Sequence, residues 1–488
     1  MSTAKNYILF SFIFASQAFA SSDRNIKPDV ERLLHRGGAI MNAFQLDEMG
    51  LSQNQTTIQP WTSSYWPDSI GGIANRYQKK LMAGFGSRVG IVANFNLNKG
   101  AWKDHDEKTI KKVMKMDEKK IARDLSPSEK YDLLMGDMNF TLTNNVIDEI
   151  QYRFDHKQDA NTGLWIEKKG MMTWVGICDG WTAASLHIPR PVKTIQVVGA
   201  TGQTITFYPD DLKALASQLF ARANQWMNIE REGSRCRDKK PKRDEFGRPA
   251  KDECHDIDAG LWHTTVMNRI GIDKRGFIID VDNKSSVNNH PVFGYEAYYF
   301  NPITGVYDTL KNSVVALSEM HDGLEPLRNK NATKVVGVEM HLDLLTEDFP
   351  KARETDGPED DHYKQKITYV YDIEMNDQGD IVGGQFREGY KRGEPQPDML
   401  WMLAKYQLAW SRSSAQADEG PTIDKNKIEI WGNINWRFKG DGKIPADWLK
   451  AHYESAKLTL PGNQPWAMIQ SPAPLAEMVY YLFDQARE

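Results

Sequence analysis

Residues 174–181 read Trp-Val-Gly-Ile-Cys-Asp-Gly-Trp, and they place one of only three cysteines in 488 residues between two tryptophans and two glycines. The stretch continues as GWTAASLHI, whose small residues and apolar spacing predict a helix. Cys178 therefore falls at a helix N-terminus. Unsatisfied backbone N–H groups and the helix dipole favour an anion there, which draws a thiol pKa down from about 8.5 toward neutrality. Two uses fit such a residue: a buried, inert packing thiol, or a thiol kept for its chemistry.

The compartment bears on that choice. Residues 1–20, MSTAKNYILFSFIFASQAFA, carry Lys5, an apolar run over 7–15 and the small-x-small cleavage pattern Ala18-Phe19-Ala20. This predicts a secretory signal peptide; the run is shorter than the roughly 20 apolar residues of a membrane span. No later segment is apolar and long enough to span a bilayer. The expectation is a mature chain beginning near Ser21, secreted or periplasmic, where disulfides persist. Cys236 and Cys254 bracket CRDKKPKRDEFGRPAKDEC, a charged stretch with glycine and proline that reads as a surface loop closed at its base. Their bridge would contribute about 3 kcal/mol in the chain-entropy model. Cys178 is then the leftover thiol.

Length implies two or three packed units. With 40% hydrophobic and 26% charged residues of balanced sign, the composition is that of a folded protein. A net charge of −5 supplies no general attraction for nucleic acid or an anionic membrane. Residues 21–125 form an N-terminal segment, with a pro-region as one reading, that includes SYWPDSIGGIANRY and a charged helical run. LSPSEKYDLLMGD opens with Ser126-Pro127 and has Glu129 three residues on, a helix start, and the catalytic unit is placed from 126 to 400. It predicts a hairpin over 193–208, a helix from Pro209, and strands at LWHTTVMNRIG, GFIIDVD, FGYEAYYFNP, TKVVGVEMHLDLL and KITYVYDIEMNDQGDIVGGQF. Residues 401–488 read as a C-terminal extension.

A nucleophilic cysteine needs a base, and the base needs a group to orient it. His263 and Asp280, on predicted neighbouring strands, suit these two roles. Trp174 and Trp181 flank the nucleophile as walls of a substrate channel or as indole oxyanion donors, and equally as ordinary core aromatics.

The order Cys178, His263, Asp280 resembles that of transglutaminase-like enzymes. Eight segments in sequence order resemble the transglutaminase elicitor family more specifically: SYWPDSIGGIANRY, SPSEKYDLLMGD, WVGICDGWTAAS, ITFYPDDLKALAS, AGLWHTTVMNRIG, FIIDVDNKSSVNNHPVFGY, YVYDIEMNDQGDIVGGQF and QPDMLW. The family is known from oomycete cell-wall proteins and secreted bacterial relatives. The resemblance implies an α+β fold with a papain- or transglutaminase-like core, in which a nucleophile helix packs on an antiparallel sheet. It also implies acyl transfer from a protein glutamine carboxamide, through a Cys178 thioester, to a lysine or other amine. Carried over, the family's triad falls on Cys178, His263 and Asp280. Two departures stand out: Asp179 where the family commonly has histidine, and Asn288 where its elicitor segment has tryptophan. The chemistry requires no cofactor; the resemblance implies divalent cations, calcium in particular, while no EF-hand loop occurs. Two other functional readings of the same residues are a secreted papain-like cysteine peptidase and an inactive envelope or binding protein that retains the fold.

Overall fold

The structure is a computed structural model that describes residues 24–78, 115–158, 165–167, 174–223, 229–234, 242, 257–281, 287–360, 363–386, 397–403, 443–444, 446–455 and 472–487. The expected signal peptide and the expected disulfide of Cys236 and Cys254 lie outside these residues.

Among the described residues, one large antiparallel sheet organises the chain. Along its hydrogen-bonded path run Ile381–Phe386, Lys364–Met375, Lys334–Leu345, Asn289–Phe300, Phe277–Asp280, Met399–Leu403 and Ile229–Gly233. The sheet is covered on both faces, and strand alternation divides the apolar residues between two cores. Ile278, Trp401 and Leu403 point into the first, where the helices Cys178–His187, Pro209–Ala223 and Pro472–Arg487 pack. Phe277, Ile279, Leu400 and Met402 point into the second, which is closed by the helices Lys27–Leu34 and Ala259–Val266. The fold is α+β, with the helix that begins at Cys178 lying on an antiparallel sheet.

Local sequence accounts for many of these elements. The Pro127–Met135 helix starts in a complete capping box: Glu129 N–H donates to Ser126 Oγ (3.3 Å), and Ser126 N–H to Glu129 Oε2 (2.7 Å). Gly379, at φ 87°, turns the hairpin between Lys364–Met375 and Ile381–Phe386. The expected strand at 261–271 is instead the helix Ala259–Val266, which continues as a π-helical turn over Met267–Ile272. Its Trp, Val and paired Thr residues favour a strand, but the Asp258 carboxylate accepts the Leu261 N–H (2.8 Å) and caps a helix. Packing on the sheet then overrides propensity.

Trp61 and Trp66 from the N-terminal part and the helix Pro472–Arg487 from the C-terminal part enter the first core. The Trp61 indole donates to Ile188 O (2.9 Å) and the Trp181 indole to Trp61 O (3.0 Å). Leu475, Val479, Leu482 and Phe483 share that core. The boundary expected at 400/401 falls within the strand Met399–Leu403, and residues 61–68 lie against the Cys178 helix across the boundary expected at 125/126.

The two glycines of the opening stretch are required by close approach. A Cβ on Gly180 would lie 2.0 Å from Ser217 O and 2.7 Å from Ala221 Cβ; one on Gly176 would lie 2.3 Å from Tyr65 O. The Cys178 helix thus touches the Pro209–Ala223 helix backbone to backbone. Gly180→Ala is expected to force them apart and cost about 1–3 kcal/mol. Thermal denaturation checks this, and an unchanged midpoint would contradict the packing described.

Candidate active site

Cys178 is the first residue of its helix, and a two-rung backbone contact fixes the turn before it. Ile177 N–H donates to Tyr65 O (2.8 Å), and Asp68 N–H donates to Val175 O (2.9 Å). Between these rungs the buried Trp66 holds a left-handed φ of 48°, uncommon for a bulky residue. Arg153 grips Asp68 through two nitrogens, at 2.6 and 2.9 Å.

The sheet meets the sulfur through Asn289. Its Nδ2 donates to Cys178 Sγ at 3.5 Å, and its Oδ1 accepts the Trp401 indole N–H at 2.9 Å. Asn289 lies opposite Asp280 across the strand pair, so both side chains project from the face that carries Cys178. Asp280 is fully buried, and its Oδ1 accepts the Asn288 N–H (2.9 Å). Cys178, Asn289 and Trp401 are thus joined by hydrogen bonds at the first core, and Asp280 lies on the same face of the sheet. His290, opposite Ile279, shares the other face, where its Nδ1 meets Leu345 O (3.0 Å).

His263 is elsewhere. It lies on the helix Ala259–Val266, completely buried, with Nδ1 2.9 Å from Tyr371 Oη and its ring against Tyr299. Those tyrosines belong to the second core, on the opposite side of the sheet. Burial pushes this imidazole down to about 3, so it is neutral at physiological pH. The expected meeting of His263 with Cys178 and Asp280 across neighbouring strands is thus not found: Asp280 reaches the cysteine side, and His263 does not.

The tryptophans also part company. Trp181 is fully buried and its indole N–H is committed to Trp61 O, so it anchors the helix and is no oxyanion donor. Trp174 is half-buried, four residues before the sulfur. The indole that does serve the cluster belongs to Trp401. Asn289 and Trp401 are not among the residues that the sequence order singles out, although both lie in stretches that carry the resemblance, VNNHPV and QPDMLW.

Electrostatics reverse the expected state of the thiol. Cys178 keeps some accessible surface, but its sulfur sits deep among protein atoms. Burial first, and the Asp179 carboxylate second, push the thiol up to about 12; the Asn289 donor pulls the other way and Glu347 adds to the rise. These effects outweigh the helix N-terminus. At neutral pH the resting residue is a thiol, not a thiolate.

Among the described residues, Asp132, Asp137 and His452 bring three ligand atoms close together. Asp132 already accepts the Leu142 and Thr143 N–H groups, and Asp137 accepts those of Asn139 and Thr141. His452 Nε2 lies 2.7 Å from Asp137 Oδ2. Calcium takes about 6–8 oxygens, and this set does not fit it; the trio ties the helix Ala446–Ser455 to the start of Thr141–Asp155. No helix among the described residues is long and apolar enough to cross a membrane.

The family model described as Transglutaminase elicitor matches residues 154–411, a span that includes Cys178, Asp280, Asn289 and Trp401 and just over half of the chain. The chain belongs to the transglutaminase elicitor family. Among solved structures, the GP42 transglutaminase from Phytophthora sojae is similar, with 19% identity and a TM-score of 0.49 over 78% of this chain and 90% of that one. No curated protein matches. Within this transglutaminase-like protein, Asp179 is the family departure that bears on the sulfur directly. Asp179→Asn removes the adjacent charge and is expected to speed iodoacetamide alkylation of Cys178 at pH 8 severalfold, read by mass spectrometry of the Cys178 peptide. An unchanged or slower rate would mean that Asp179 does not set the thiol.

Proposed function

We propose that this protein is a secreted protein-glutamine gamma-glutamyltransferase with Cys178 as its nucleophile. The observation that carries the reading is the Cys178–Asn289–Trp401 cluster, with Asp280 on the same sheet face, inside the span that matches the family. Residues 1–20 support a site of action outside the cytoplasm.

In the proposed reaction the Cys178 S–H gives its proton to the Asp280 carboxylate as the sulfur attacks the glutamine carboxamide carbon. The carbon–nitrogen bond breaks, the proton leaves with ammonia, and a thioester remains. A lysine amine then attacks the thioester carbon. The carbon–sulfur bond breaks, the amine proton returns to the sulfur by way of Asp280, and an isopeptide is formed. Water in place of the amine gives glutamate. Because the resting thiol is neutral, the carboxylate must receive its proton within the step itself. Asp280 takes the part that the family order assigns to His263, since Asp280 shares a face with the sulfur and His263 lies in the other core. Trp174, half-exposed before the nucleophile, is the candidate wall of an acceptor channel. The reaction as written needs no cofactor.

One observation favours a second reading. A thiol pushed up by burial and by Asp179 is also what a binding protein that had lost its chemistry would keep. Amine incorporation into a glutamine-containing peptide, with ammonia release and no backbone cleavage, separates the readings. Cys178→Ala is expected to abolish incorporation and Asp280→Asn to lower it at least about a hundredfold. His263→Gln is expected to retain it while lowering the thermal midpoint through the lost core contact. Loss of activity in a fully folded His263→Gln protein would restore the imidazole as the base. Peptide cleavage would indicate a peptidase, and an inert wild-type protein would support the binding reading.

A further inference from the structure

We infer that Asn289 is a catalytic residue whose amide is held in one orientation by Trp401, so that its N–H always faces the Cys178 sulfur. The argument rests on the donor inventory. An indole nitrogen can only donate, so the end of the Asn289 amide that meets Trp401 Nε1 must be its oxygen. The NH2 end is thereby turned to Cys178 Sγ, where the contact measures 3.5 Å. Without the indole the amide could turn over, because a thiol is a weak donor and a weak acceptor and selects neither end. Asn289 is almost fully buried, so water offers little alternative partner.

The consequence is a bias among three states of the sulfur. A fixed N–H stabilises the thiolate over the thiol. The same N–H meets the negative charge that builds on the sulfur as its S–H bond breaks, so its stabilisation grows as the proton leaves. Around a sulfur next to Asp179, it opposes the carboxylate together with the backbone N–H of Asn289. Trp401, which does not touch the sulfur, is a positioning residue acting through Asn289. The inference adds a role within the proposed acyl transfer, but the state of the sulfur can be read without that activity.

The test is the pH dependence of iodoacetamide alkylation at Cys178 in the full protein, followed by mass spectrometry of the Cys178 peptide. Asn289→Asp keeps an acceptor for the indole and replaces the donor facing the sulfur. Alkylation at pH 8 is expected to fall about tenfold, as a rise of one pKa unit requires. Trp401→Phe keeps an aromatic side chain but removes the indole N–H together with the pyrrole ring; a smaller fall in the same direction is expected. Circular dichroism and the thermal midpoint establish that each variant is folded. Should Asn289→Asp fail to fold, Trp401→Phe decides alone. A pH profile in either folded variant that matches the wild type, or lies above it at pH 8, would overturn the inference. Slower alkylation with no amine incorporation by the wild type would uphold it and sink the acyl-transfer reading instead.

Discussion

The backbone contact between Gly180 and Ser217 is the constraint on which the site depends. With 2.0 Å between the carbonyl oxygen and the position of an absent Cβ, the two helices have no room for any side chain at that crossing. The contact sets how deep the Cys178 helix sinks toward the sheet, and a second one at Gly176 sets where its first turn meets Tyr65. Depth and entry angle together bring the sulfur within a hydrogen bond of Asn289. The flanking glycines in the opening stretch are therefore spacers of zero thickness, and Trp181 is the pin that holds the helix once it is seated.

That depth has an electrostatic consequence. The nearer the sulfur lies to the protein interior, the less its anion is stabilised by water, and burial here exceeds what a helix N-terminus returns. A neutral resting thiol resists oxidation, since the thiolate is the form that oxidises. It also moves the difficulty of the reaction into the first step. The acyl transfer proposed for this site would then depend on groups that act at the moment of attack: the Asp280 carboxylate to take the proton and the Asn289 amide N–H to meet the charge.

Much of this was legible in the sequence, for identifiable reasons. The Ser126–Glu129 cap, the Gly379 turn and the helix after Cys178 are local patterns, and each forms as read. The strand Phe277–Asp280 forms as its pattern predicts, because FIID is short, apolar and bounded, as a buried strand must be. The segment around His263 reads as a strand because Trp, Thr and Val favour strands, while the side chain that decides for a helix, Asp258, precedes that run. That one change of element places the imidazole in the other core. Asn289 and Trp401 could not be paired from sequence, since 112 positions separate them and only the register of three strands brings them together. Trp61 and Trp401 look peripheral along the chain, yet both are buried.

The most direct measurement is the mass of the protein quenched in acid while it turns over a glutamine-containing peptide. The account predicts an adduct equal to the intact peptide less one ammonia, carried by Cys178. An adduct on another residue, or one formed by a cleaved fragment of the peptide, would contradict it.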